Sequence, residues 1–271
     1  MPITRTLLLL ALILYGATTV QARAECAQAE AIVDQIYPDS TPDKNGGYDL
    51  SGQNIEVPDS SIGTPWGITC KVWPAHPELT LALVPLMSSS SSDGNSGDLD
   101  LLVLDSKNMK LRHRLRLHDY MNDDAIRIGS LSLDTAHYQL APGTLAFGIR
   151  KTLEGSSGPY PFEEVDLSLY AIVDGNLHTV LDGMAVSKSN GDWDTHCAGR
   201  FSDRSLVLKM GKASTNGFAN IDALGTEEDR ASYVDNKQQC QDKRDKRSLL
   251  SVHLRYNGHK YVVPKDFAAL Q

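Results

Sequence analysis

From residue 79 to the end, apolar and polar residues alternate in short runs divided by Asp, Asn, Ser and Gly, and that period restricts the chain to antiparallel β-structure. Residues 79–86, 125–133, 145–150, 205–210 and 218–224 each read as one strand. Residues 100–104 and 166–170 each precede a polar turn and an apolar return, so both predict hairpins. The last run, residues 250–256, meets Asn257-Gly258 and continues over residues 259–263 until Pro264. Asn-Gly suits a two-residue type I′ turn, which needs positive φ at both positions. Proline lacks the N–H that a strand ladder uses.

The two hairpins match at a constant offset of 66 residues: Asp100, Leu101, Val103, Leu111 and Leu115 fall on Asp166, Leu167, Leu169, Leu177 and Leu181. The expected fold is therefore mainly β, with repeated antiparallel sheets in a propeller-like or sandwich arrangement. One short N-terminal helix is expected, because Ala29, Ile32, Val33 and Ile36 share a helical face before Pro38. Residues 39–65, rich in Asp, Ser, Gly and Pro, read as an irregular connection, and the Ser/Gly/Asn tract over residues 88–97 reads as a mobile loop. This divides the chain into residues 1–24, an N-terminal helix with an irregular segment over 25–69, and a single β-rich domain over 70–271.

Residues 1–24 carry the parts of a secretory signal peptide: Arg5, an apolar run over residues 7–17, and Ala22-Arg23-Ala24 before the cut. The run is short of the roughly 20 residues that span a bilayer. Glu25 stands where a lipoprotein signal wants a small residue, so Cys26 reads as an ordinary cysteine. The expectation is a periplasmic or secreted protein with no membrane insertion after cleavage. In that compartment Cys26, Cys70, Cys197 and Cys240 imply two disulfides. Of three possible pairings, Cys26–Cys70 and Cys197–Cys240 close loops of similar, moderate length and are favoured. The cysteines lack the close spacing of a zinc site. The chain has 26 basic and 34 acidic residues, a formal net charge of −8, which disfavours nucleic acid and anionic lipid as partners. Its one basic cluster, Lys243-Arg244-Asp245-Lys246-Arg247, reads as a solvated loop.

No catalytic motif is present: there is no Gly-x-Ser-x-Gly and no His-Glu-x-x-His. Asp93, Asn95, Asp98 and Asp100 alternate through a Gly-containing loop and form an incomplete calcium-type donor set. No other cofactor is implied. Glu163-Glu164 and Glu227-Glu228-Asp229 read as solvated surface, since sequence neighbours rarely face each other across a cleft. Trp66, Trp73, Tyr160 and Trp193 lie in Pro-, Gly- or Asp-rich stretches. They fit recognition anchors and covers for the ends of a β core equally well.

Four segments together resemble a group of exported proteins of Gram-negative bacteria: Cys70-Lys71-Val72-Trp73-Pro74, residues 97–103, Trp193-Asp194 with Cys197-Ala198-Gly199 and Phe201, and Leu254-Arg255-Tyr256-Asn257-Gly258. The resemblance spans most of the chain after the signal and implies a compartment but no activity. The Asp-rich loop entering Leu101 and the closing Asn-Gly are more loosely similar to periplasmic immunity proteins of propeller-like fold, which block secreted cell-wall hydrolases; Gly97 departs from that pattern. The expected function is a non-catalytic binding or inhibitor protein acting by contact, with a basic protein such as a cell-wall hydrolase as partner. The alternatives are an envelope hydrolase with a fold-assembled acidic site and an envelope structural factor.

Overall fold

Ala29, Ile32 and Val33 are buried on one face of helix α1 (Ala29–Ile36). Eight residues are too few for a helix to persist in water, so packing holds it. The computed structural model describes residues 26–58 and 65–270; the expected signal peptide lies outside the described residues. After α1 come three short strands, β1 (Thr41–Pro42), β2 (Tyr48–Leu50) and β3 (Gln53–Ile55). Then follow β4 (Thr69–Trp73), β5 (His76–Ser90), β6 (Asn95–Asp105) and β7 (Leu111–Leu117). These make the first sheet, in the order β1-β2-β3-β5-β6-β7 with β4 also paired to β5. The second sheet is an antiparallel meander of β8 (Ile126–Ala141), β9 (Thr144–Gly155), β10 (Phe162–Val173), β11 (Asn176–Trp193), β12 (Gly199–Thr215), β13 (Phe218–Val234) and β14 (Cys240–Leu254). The protein is mainly β, with one α-helix among the described residues.

Three cores follow from the alternation. On one side of the first sheet, Ala82, Val84, Leu86, Leu102 and Leu104 take up Ile32 and Val33 of α1. On its other side, Leu81, Leu83, Leu99, Leu101 and Val103 meet Ile128, Leu133, Phe147, Ile149 and Tyr170 of the second sheet. The third core lies inside the second sheet itself, where Tyr138 and Leu140 join Leu167, Leu169, Leu206, Ile221 and Leu254. That closure needs a bend, and β8 supplies it with a register shift between Asp134 and Tyr138. Its first half faces the first sheet and its second half approaches β12 and β13.

β11 and β12 pair only from Ser187–Ser205 to Trp193–Gly199. Before Ser187 the strands part, and the C-terminal segment fills the gap. Tyr261 N–H donates to Val180 O at 2.7 Å, Ala269 N–H donates to Gly183 O at 2.9 Å, and Ala268 bridges Met184. Gly183 has φ +58°, and a Cβ there would stand 2.9 Å from that of Ala269, so the tail needs a glycine opposite it.

Both disulfides close in the favoured pairing, Cys26–Cys70 with Cα atoms 4.9 Å apart and Cys197–Cys240 with Cα atoms 5.6 Å apart. Two closed disulfides belong to an oxidising compartment outside the cytoplasm. Among the described residues no helix is long and apolar enough to cross a membrane. Cys26 and Cys70 are buried, whereas Cys240 is exposed. Mild reduction followed by alkylation and mass spectrometry is expected to open Cys197–Cys240 first; earlier labelling of Cys26 and Cys70 would contradict this.

Several expectations change. Both hairpins of the 66-residue match exist, as β6–β7 and β10–β11, but they belong to different, facing sheets. Leu101 enters the core between the sheets and its match Leu167 enters the inner core, so the two are layers of a stack and not blades of a propeller. Residues 39–65 contain β1 to β3, because Tyr48 and Ile55 can pack against the helix-side core. Residues 88–97 are mostly strand, closed by Ser91 N–H donating to Gly94 O at 3.0 Å. The basic cluster lies in β14, where backbone pairing to β13 needs no apolar side chain. β14 ends the second sheet, and its charges oppose edge-to-edge pairing. Two-residue positive-φ turns occur at Ser51-Gly52, with φ 53° and 88°, at Asp174-Gly175, with φ 49° and 78°, and at Asn216-Gly217, with φ 50° and 88°. At the terminus Asn257 Oδ1 instead accepts from the N–H groups of His259 and Lys260, both at 2.8 Å, and a single Tyr256–Tyr261 bridge replaces the expected strand.

Candidate functional site

The four aromatic candidates separate into two pairs. Trp73 ends β4 in the core between the sheets, 5.1 Å from Phe147, and Trp66 packs against the same core. Neither is an exposed anchor. Tyr160 and Trp193 come together at the other end of the second sheet. Trp193 Nε1 donates to Gly158 O at 2.6 Å, and its backbone N–H donates to Pro159 O at 3.0 Å. The Pro-rich loop is thereby fixed while Tyr160 stays 62% exposed. Asp194 sets the next turn, accepting from the N–H groups of Cys197 at 2.8 Å and His196 at 2.9 Å, which hold its carboxyl below the usual range. The disulfide then joins this turn to the start of β14. Phe201 lies 6.3 Å from Trp193 and carries the Arg230 guanidinium 4.6 Å above its ring. Phe201, Arg200, Arg230, Asp192, Asp229 and Asp245 line a cleft of ≈ 470 Å³.

The calcium-type residues do not converge. Asp93 is exposed in the β5–β6 turn. Asn95 Nδ2 donates to Asp123 Oδ1 at 2.8 Å, and Arg127 Nη1 donates to the same oxygen at 2.9 Å. An arginine thus supplies the positive charge there. Asp98 Oδ1 accepts from the Asp119 N–H at 3.0 Å. Asp100 faces the helix, fully buried, where its carboxylate accepts from Tyr37 Oη at 2.8 Å, from Arg116 Nε and Nη2 at 2.8 Å each, and from Arg114. Burial acts to raise its pKa, and these donors outweigh burial and hold it below the usual carboxylate range. Among the described residues no three His, Cys, Asp or Glu side chains are grouped to hold a metal.

The more unusual chemistry lies on β10, where Glu164, Asp166, Ser168 and Tyr170 alternate along one face and are all buried. Directly opposite on β9 stand Leu153, Lys151, Ile149 and Phe147. Glu164, 1% exposed, pairs with Lys188 Nζ at 2.8 Å and accepts from the Leu270 N–H at 2.8 Å. Neither carboxylate oxygen of Asp166 has a hydrogen-bond partner. Burial and the neighbouring Glu164 charge push its pKa up to about 7. Lys151 lies 4.7 Å over the Tyr120 ring, and burial lowers its pKa against the pull of Asp166 and Glu164. Lys151, Leu153 and Leu270 line a cleft of ≈ 450 Å³ whose rim carries Asp119 and Asp124. A carboxyl that titrates near neutrality beside a lysine in a cleft can hold or release a proton under ordinary conditions.

Glu164 is a correction to its reading as solvated surface. Strand alternation separates it from Glu163, which stays exposed. The signal was the run from Val165 to Val173, apolar on both alternate positions over most of its length, which marks a strand covered on both faces. Lys151 and Tyr120 carry no comparable signal, since separate elements bring them to β10.

The fold and these two clefts define a mainly β protein of two stacked sheets, stabilised by disulfides. No protein family, no curated protein and no solved structure matches the chain.

Proposed function

We propose that this is a periplasmic binding or inhibitor protein that acts by protein–protein contact, with a basic partner such as a cell-wall hydrolase. The observation that carries the reading is the disulfide-anchored end of the second sheet, where exposed Tyr160 and half-buried Trp193 and Phe201 stand among charged side chains. Aromatic anchors inside a charged rim are the usual anatomy of a contact surface. The net charge of −8 suits a basic partner through steering. Pull-down from periplasmic extract tests it. A stoichiometric basic protein should be retained by the wild type and weakened about tenfold by Tyr160→Ser with Asp192→Lys, the effect of losing an anchor and reversing a charge that faces the partner. Retention unchanged by that variant would overturn the assignment of the surface.

A second reading, an envelope hydrolase with a fold-assembled acidic site, draws on one observation, the buried Glu164–Asp166 pair beside Lys151. Absence of any partner, together with turnover on a hydrolase panel that Asp166→Asn abolishes, would favour it over the first.

A further inference from the structure

Lys151 and Asp166 face each other across β9 and β10, yet they form no ion pair. A buried pair serving stability alone would close the ammonium onto the carboxylate. Here the ammonium rests over Tyr120 and lines the cleft, while Asp166 is left behind it, 3% exposed and without a hydrogen bond. Among the described residues the Lys151 ammonium closes no ion pair and interacts with Asp166 and Glu164 only at longer range. The cleft thus presents a cation whose balancing charges, Asp166 and Glu164, sit beneath it. Such an ammonium is open to a carboxylate from outside the chain.

The rim has the opposite character. Among the described residues the Asp119 carboxylate accepts only from Asn122 Nδ2, at 3.2 Å, the Asp124 carboxylate accepts only from the Ile126 N–H, at 3.3 Å, and neither has a cationic partner. Asp123 between them is fully engaged by Asn95, Arg127 and the Ile128 N–H, so the loop that carries the two free acids is held in place. A simple anion would be repelled by this rim, and a simple cation by Lys151. Leu153, Ile126 and Leu270 add an apolar wall, and ≈ 450 Å³ suits a small ligand, within the range of about 300–1,000 Å³ for such sites.

We propose that this cleft binds a small zwitterion, a free amino acid or a short peptide, with its carboxylate on Lys151 and its ammonium on Asp119 and Asp124. The site is separate from the Tyr160 surface, so either proposal can fail alone.

Isothermal titration of the purified protein with glycine, alanine, glutamate, lysine and glycylglycine tests it, with acetate and methylamine as single-charge controls. At least one zwitterion should bind about tenfold or more tighter than both controls. Lys151→Met should weaken that zwitterion by about tenfold or more, the scale of one charged hydrogen bond. Zwitterions that bind no tighter than the controls, or with unchanged affinity to Lys151→Met, overturn the proposal. Should Lys151→Met fail to fold, Asp119→Asn with Asp124→Asn changes only exposed rim residues. Loss of binding in that variant supports the site, and unchanged binding overturns it.

Discussion

Replacing Arg114 and Arg116 together by methionine is expected to lower the unfolding free energy by about 3–5 kcal/mol at pH 7, the scale for stranding one partner of a buried ion pair. Asp100 is fully buried under α1, and the two guanidiniums and the Tyr37 hydroxyl are its only donors among the described residues. Methionine keeps the length of the side chain and removes the charge. Asp100 has a depressed pKa in the folded protein, so the stability it contributes is present above the unfolded value of 3.8 and lost as pH falls through the folded one. The penalty in the double variant should therefore shrink in acid, where a stranded Asp100 can protonate. Urea unfolding at pH 7 and pH 4 reads both effects. A loss below about 1 kcal/mol at pH 7, the range of surface pairs, would mean that water reaches the carboxylate.

Asp166 should behave in the opposite sense. Its folded pKa, about 7, stands above the unfolded 3.8, so the folded state holds the proton more tightly. Stability from this group is fully present below the unfolded value and is lost as pH rises through about 7. Wild-type protein is expected to lose roughly 1–3 kcal/mol between pH 5 and pH 8, the scale for an unpaired buried polar group. Asp166→Asn has no proton to lose there, so its stability should be flatter over that interval. Denaturant unfolding at the two pH values compares the slopes, and equal slopes would show that Asp166 does not titrate as described. Asp100 and Asp166 occupy matching positions in the 66-residue offset, yet one is surrounded by donors and the other by none.

That contrast shows where sequence reasoning ends. The helix was legible because Ala29, Ile32 and Val33 are local neighbours on one face. The disulfides were legible because compartment and number imply two bridges and loop length favours the observed pairing among three. The two hairpins were legible as hairpins, since alternation and turn residues are local properties. Their faces were not. Whether Leu101 and Leu167 look toward each other or apart depends on how the sheets stack. Trp73 beside Pro74 suggested a loop, and packing against Phe147 placed it in the core. The cleft at Lys151 was invisible for a related reason. Tyr120 follows β7, Lys151 lies on β9 and Leu270 is in the tail, so only long-range pairing assembles it.

The C-terminal segment has a consequence for the order of folding. Tyr261 and Ala269 donate to β11 where β12 turns away, and Tyr256 and Tyr261 complete the inner core. The seam between β11 and β12 therefore stays open until residues 261–269 are available. A chain emerging N-terminus first can form α1, the first sheet and most of the meander, but it cannot seal the second sheet early. Closure of the second sheet is thus coupled to synthesis of the segment over residues 261–269, which no earlier strand replaces.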